Sequence, residues 1–178
     1  MADYTKTTWV DDSTPLSAAN FNNMETGIYN NTNKNAGFWG YSKEVVVAHN
    51  TITPFNLYAI NINGNISVSD YWKNGSEVKG VVIPAGCVSV TASITLQLPT
   101  EFDGILVNIG IRKLWVYNGT EPVVAAQSIY SNGNGEYICA TYSGYCLPGD
   151  KISAWVAQYS GFSKTIAGNR GVFSVTYN

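Results

Sequence analysis

Hydrophobic and polar positions alternate with a period of two along most of the chain beyond about Tyr41. The clearest run is Cys87 to Leu98, where Val88, Val90, Ala92, Ile94, Leu96 and Leu98 alternate with Ser89, Thr91, Ser93, Thr95 and Gln97. Successive side chains of a strand point to opposite faces, so this run predicts one buried and one polar face. Ile105, Val107, Ile109 and Ile111 repeat it, and the phase slips at Arg112 and Lys113 before Leu114 and Val116, as a bulge would produce. Further strands are predicted at Val45–Ala48, Phe55–Ile62, Glu77–Ile83, Val123–Tyr130, Glu136–Tyr142, Lys151–Tyr159 and Val172–Tyr177. Asn-Gly pairs at Asn63, Asn74, Asn118, Asn132 and Asn134 lie between them and suit the positive φ of tight turns. About nine strands without a second helix predict an all-β fold, an antiparallel jelly-roll sandwich.

The first 35 residues read differently. Thr14, Pro15, Leu16 and Ser17 have the form of a helix start, since proline tolerates the first turn and the hydroxyls accept unpaired amide protons. Phe21, Met24 and Ile28 then fall on one helical face with Leu16 close to it, and the polar run from Asn30 to Asn35 ends the pattern. A short helix with one narrow apolar stripe is marginal in water and needs a partner. Another protein, further copies of the chain, or its own β-head would each supply one. The expected organisation is therefore an attachment segment over residues 1–35, a linker over 36–43 and a β-head over 44–178.

Composition supports a folded chain and excludes two partner classes. Apolar residues make up 45% and aromatics 13%, while net charge is −2 and charged residues only 12%. No basic field is present to hold nucleic acid or an anionic membrane surface. No apolar run approaches the ~20 residues that span a bilayer, and no export signal is read at the start. Cys87, Cys139 and Cys146 are expected as reduced core thiols, with a Cys139–Cys146 pair as the alternative.

Candidate chemistry is sparse. His49 is the one histidine, followed by Asn50 and Thr51 in a predicted loop, and no cysteine or second histidine stands at a metal-ligand or nucleophile-base spacing. Glu101 and Asp103 flank a turn, and a glycosidase would need another carboxylate opposed to them. The glycine-rich stretch around Asn134 lacks the lysine and following helix of a phosphate loop. The expectation is a non-enzymatic protein without metal or cofactor. Tyr142, Tyr145, Tyr159 and Phe162 lie beside small polar residues and are candidate receptor contacts, because such rings stack on sugars or protein loops. Their other role would be to fill the core or an axis between subunits, as Tyr137 and Trp155 also could.

Two resemblances add to this reading. Gly149 to Val156 and Gly171 to Tyr177, with Val82 to Val90 and Lys113 to Gly119 upstream, resemble the complement-type globular head, the tumour-necrosis-factor-like jelly roll. Ser89 stands where that family carries an aromatic, and its N-terminal strand motif is not visible. The resemblance implies a homotrimer. Tyr4 to Asp12 followed by Thr14 to Ile28 is similar to a segment that opens many phage tail, baseplate and head-fibre proteins. That similarity implies a virion component held by Trp9, Asp11, Leu16, Phe21, Met24, Glu25, Gly27 and Ile28, with other virion proteins as partners and a host cell-wall glycan as the candidate receptor. A depolymerase or a purely decorative capsid protein are the alternatives.

Overall fold

The structure is a computed structural model that describes residue 22 and residues 37–61, 71–74 and 77–177. The N-terminal helix and its eight candidate attachment residues lie outside the described residues. The strands are β1 (Gly37–Ser42), β2 (Val45–Val47), β3 (Thr53–Pro54), β4 (Leu57–Asn61), β5 (Tyr71–Asn74), β6 (Glu77–Val82) and β7 (Ser89–Gln97). After a 3-10 turn at Thr100–Phe102 come β8 (Leu106–Leu114), β9 (Val123–Tyr130), β10 (Tyr137–Tyr145), β11 (Lys151–Gln158), β12 (Lys164–Ile166) and β13 (Gly171–Tyr177).

All strand pairings are antiparallel, in the order β10-β7-β13-β1-β4 and then β6-β11-β8-β9, with β5 on β6, β3 on β11, and β12 on β2 apart. One pair, Leu57 with Val78, joins the two halves. The path folds back on itself, so β10 packs beside β8 and β9 without pairing to them. Phe38, Val90, Ile94, Leu96, Ile138 and Phe173 from one layer meet Val107, Ile109, Ile111, Ile152 and Val156 from the other in a single core. The predicted all-β antiparallel jelly roll is the observed architecture.

Three departures from the sequence pattern have physical causes. The segment 36–43, expected as a linker ahead of a head starting at residue 44, contributes β1, which pairs with both β13 and β4. Its glycines hid it: a Cβ at Gly40 would stand 2.9 Å from Phe38 Cζ, so glycine lets the buried Phe38 ring lie against the strand. At the start of β7, Val88 is 61% exposed and Cys87 is buried, the reverse of the alternation. The turn before it, with Gly86 at φ 84, delivers the chain in the opposite phase until β7 begins at Ser89. The predicted bulge is present between Ile111 and Arg112, but the extra residue is Val124 on β9, since Ile111 faces Ala125 and Arg112 faces Val123. β8 therefore keeps its alternation, and Lys113 follows Val107, Ile109 and Ile111 into the interior.

Two ends of the sandwich matter below. Gly37 lies opposite Thr176, Tyr145 opposite Ser89 and Tyr177 opposite Val90, so residues before β1 join the head at the end that also holds the turns at 84–88, 115–122 and 146–150. We call this end basal. The apical end carries the segments 48–53, 98–105, 131–136 and 159–170, tied together by Tyr159 N to Leu106 O, Gly104 N to Ser131 O and Gln97 N to Arg170 O.

Candidate functional site

The layer β10-β7-β13-β1-β4 contains no Asp, Glu, Lys, Arg or His in any of its five strands, whereas the other layer carries Lys73, Glu77, Lys79, Arg112, Lys113 and Lys151. Alternation turns Ser89, Thr91, Ser93, Thr95 and Gln97 of β7 away from the core. Register sets Thr91 between Ser143 and Thr176, Ser93 between Thr141 and Ser174, and Thr95 between Cys139 and Val172. The Thr91 and Ser143 hydroxyls are 3.0 Å apart, and those of Ser93 and Ser174 are 2.7 Å apart. Hydroxyls paired within the face lose little when water is removed, since burial costs most for polar groups left without partners. Exposed Tyr137, Tyr145 and Tyr58 edge the face. It is neutral, and its central hydroxyls are paired.

The apical end presents aromatics on a locked loop. Gln158 is fully buried; its Nε2 donates to Val47 O (3.0 Å) and Phe162 O (2.6 Å), and its Oε1 accepts from Ser160 N (2.7 Å). Gly161 N donates to His49 Nδ1 at 3.0 Å, and Ser160 Oγ donates to Phe162 O at 2.8 Å. Gly161 has φ 87, a left-handed value that a side chain would strain. This frame holds Phe162 at 78% exposure, with Tyr159 edge-on to His49 at 6.2 Å. A rigid exposed ring loses little entropy on contact, which favours it as an anchor.

The basal end is built around a buried ion pair. Lys113 and Asp150 are both fully buried, with Nζ 3.1 Å from Oδ2. Lys113 also donates to Tyr145 O and lies 3.6 Å from the Trp115 ring centroid. Asp150 accepts Val116 N and Leu147 N, each at 2.9 Å, so one carboxylate fixes two turns. Burial pushes the Cys146 thiol up to about 11, with Cys87 and Asp150 adding to the rise and Lys113 opposing it. Burial, then Cys146 and Asp150, likewise raises Tyr142.

The four candidate contact residues therefore do not form one site. Tyr159 and Phe162 come together at the apex. Tyr145 is exposed at the basal end, and Tyr142 lies on the inner side of β10, packed against the core. Ser143 and Gly144 look like turn residues, yet β10 runs through them to Tyr145. Gly144 leaves room for its neighbour, since a Cβ there would sit 2.5 Å from Tyr142 Oη. Tyr137 is exposed on the uncharged face, while Trp155 is buried over Gly110 of β8. Cys139 and Cys146 are both free. They are seven positions apart along β10 and its extension, roughly 20 Å at strand rise, far beyond disulfide reach. Glu101 and Asp103 sit on the turn after β7, and no group of three His, Cys, Asp or Glu converges among the described residues.

Sequence reasoning missed Lys113, Gln158 and the uncharged layer. The last was readable as five strand segments without a charge. Which strands are neighbours is a property of topology, so the pattern had no visible meaning in one dimension.

No protein-family model matches the sequence, and no curated protein is significantly similar to it. Among solved structures, the fold is similar to that of Eiger TNF from S. frugiperda, at 10% identity over 81% of this chain and 93% of that one, with a TM-score of 0.51. It is also similar to murine APRIL, at 11% identity over 82% of this chain and 99% of that one, with a TM-score of 0.53. These likenesses establish a TNF-like jelly roll.

Proposed function

We propose that the protein is a non-enzymatic, homotrimeric phage virion component, attached through residues 1–35 and presenting its apical loops for host-surface adhesion. The observation that carries this reading is the five-stranded layer without a charged residue, at whose centre two pairs of outward hydroxyls bond to each other. A solvent-facing sheet ordinarily carries charge that keeps it from sticking to other sheets. This one lacks that protection and is cheap to dehydrate, as suits a face packed against further copies around an axis. With the uncharged faces inward, the basal end joins residues 1–36 to the head and the apical end stays free. Attachment near one end and display at the other is the geometry of a fibre or decoration head. Three heads on one axis would also gain avidity on a repeated surface ligand. The attachment role rests on the resemblance of residues 4–28 to phage opening segments.

Light scattering on the full chain tests the assembly. The expected mass is three times the 19.3 kDa of one chain, falling to one chain in Ser93→Arg, which sets a charge at the middle of the face. A clean wild-type monomer at micromolar concentration overturns the trimer. Antibody labelling of the head on intact virus particles, viewed by electron microscopy, tests the virion role; unlabelled particles overturn it.

A further inference from the structure

We propose that a second apical feature, the cleft under Arg170, binds a single neutral sugar ring. This inference rests on the adhesive reading and names its ligand class. The cleft has a volume of about 230 Å³ and lies between the end of β7, the start of β10 and the turn from β12 to β13. That is below the range of pockets for drug-sized ligands and suits one ring. Pro99 and Ala167 supply apolar wall, against which the C–H face of a pyranose can lie, and Gln97, Thr100, Glu101 and Arg170 supply the polar rim.

The rim is equipped for a polyol. Arg170 Nη1 donates to Gln97 Oε1 at 2.7 Å, which turns the Gln97 amide while leaving its own nitrogen and the other guanidinium N–H groups to donate. The Thr100 hydroxyl and the Glu101 carboxylate have no side-chain hydrogen bond among the described residues. Sugar hydroxyls donate and accept at once, so they match a rim holding both kinds of group. Charge favours a neutral ligand: Arg170 and Glu101, the two charged residues that line the cleft, balance each other. The site is also preformed. Asn169, at φ 64, donates to Ser42 O (2.7 Å), Gly171 N donates to Ser42 Oγ (2.8 Å), and Gln97 N donates to Arg170 O (2.8 Å), which together fix the turn that carries Arg170. Glu101 is the one carboxylate on the rim, whereas glycoside cleavage ordinarily uses two, so the cleft is suited to holding a ring rather than cutting a chain.

Saturation-transfer NMR on the full chain, with the methyl glycosides of glucose, galactose, mannose and N-acetylglucosamine as probes, tests the proposal. Saturable binding of at least one probe is expected, with Kd on the order of 1 mM. Arg170→Ala should weaken it at least about tenfold, and Ala167→Trp, at an exposed position that fills the cleft, should abolish it with circular dichroism unchanged. Phe162→Ala should leave it intact. No saturable signal from any of the four probes, a signal that survives Ala167→Trp, or tighter binding of methyl glucuronide than of its neutral counterpart overturns the assignment. Adhesion is read separately on intact bacterial cells. Cell binding undiminished by Ala167→Trp overturns the cleft and leaves adhesion standing, while absent cell binding with retained glycoside binding overturns adhesion alone.

Discussion

The basal and apical ends both hold loops in place, but by opposite chemistry. At the base, Lys113 and Asp150 are wholly withdrawn from water and tie the turns at 115–119 and 146–150 to the core. At the apex, Gln158 does the corresponding work with a neutral amide, and the ring it positions, Phe162, stands in solvent. Buried charge is costly to leave unpaired, so it fixes its surroundings rigidly and tolerates no loss of either partner. A neutral amide costs less to break and lets a loop stay ordered while its surface remains available. The end that joins residues 1–36 is thus held by the costlier bond, and the proposed display end by a neutral one.

The sharpest test of this contrast is Asp150→Ala. It strands a buried ammonium and frees two turns, and a loss of about 3–5 kcal/mol in chemical denaturation is expected. Replacing both partners, as Lys113→Met with Asp150→Leu, should recover part of that loss. A cost below about 1 kcal/mol for Asp150→Ala would mean the pair is not the basal clamp. Gln158→Ala should cost less, about 2 kcal/mol, because it removes only neutral hydrogen bonds, to Val47 O, Phe162 O and Ser160 N. Its larger effect should be local, with fast amide exchange at Ser160 and Gly161 and none at Val116 or Leu147.

The basal end also carries a pH dependence. Cys146 keeps its proton in the folded chain until about 11, while the unfolded thiol gives it up near its ordinary 9. The folded state therefore binds more protons across that window, so its basal contribution is complete below about 9 and lost as pH rises to about 11. Chemical denaturation of the wild type and Cys146→Ala through this range should converge. At the apex, His49→Ala removes the acceptor of Gly161 N, so amide exchange at Gly161 should quicken in the variant relative to wild type at a fixed pH. Unchanged exchange at Gly161 in His49→Ala would remove His49 from the apical frame.

Much of the fold was legible because the core strands obey period two. Val90, Ala92, Ile94 and Leu96 are buried as their alternation with Ser, Thr and Gln requires. Position along the chain could not show where alternation is restarted by a turn, as at Val88, or preserved by an extra residue in a partner strand, as at Lys113. A lysine following three aliphatic residues looks like a strand end until its carboxylate, 37 positions later, is brought beside it. β1 was hidden for the converse reason, since Gly40 serves the packing of Phe38 and so resembles linker composition. At the apex, Tyr159 and Phe162 were readable as aromatics among small residues. Their frame was not, because it is made by Gln158 and His49 across 109 positions of sequence.

The uncharged layer draws its strands from almost the full length of the described head, and β13 lies near its middle, flanked by β1 and β7. β13 is translated after the other twelve described strands. A chain that has not yet placed β13 therefore cannot display this surface in finished form. In the proposed assembly, joining of copies would thus wait on the last described strand, the one that completes the middle of the shared face.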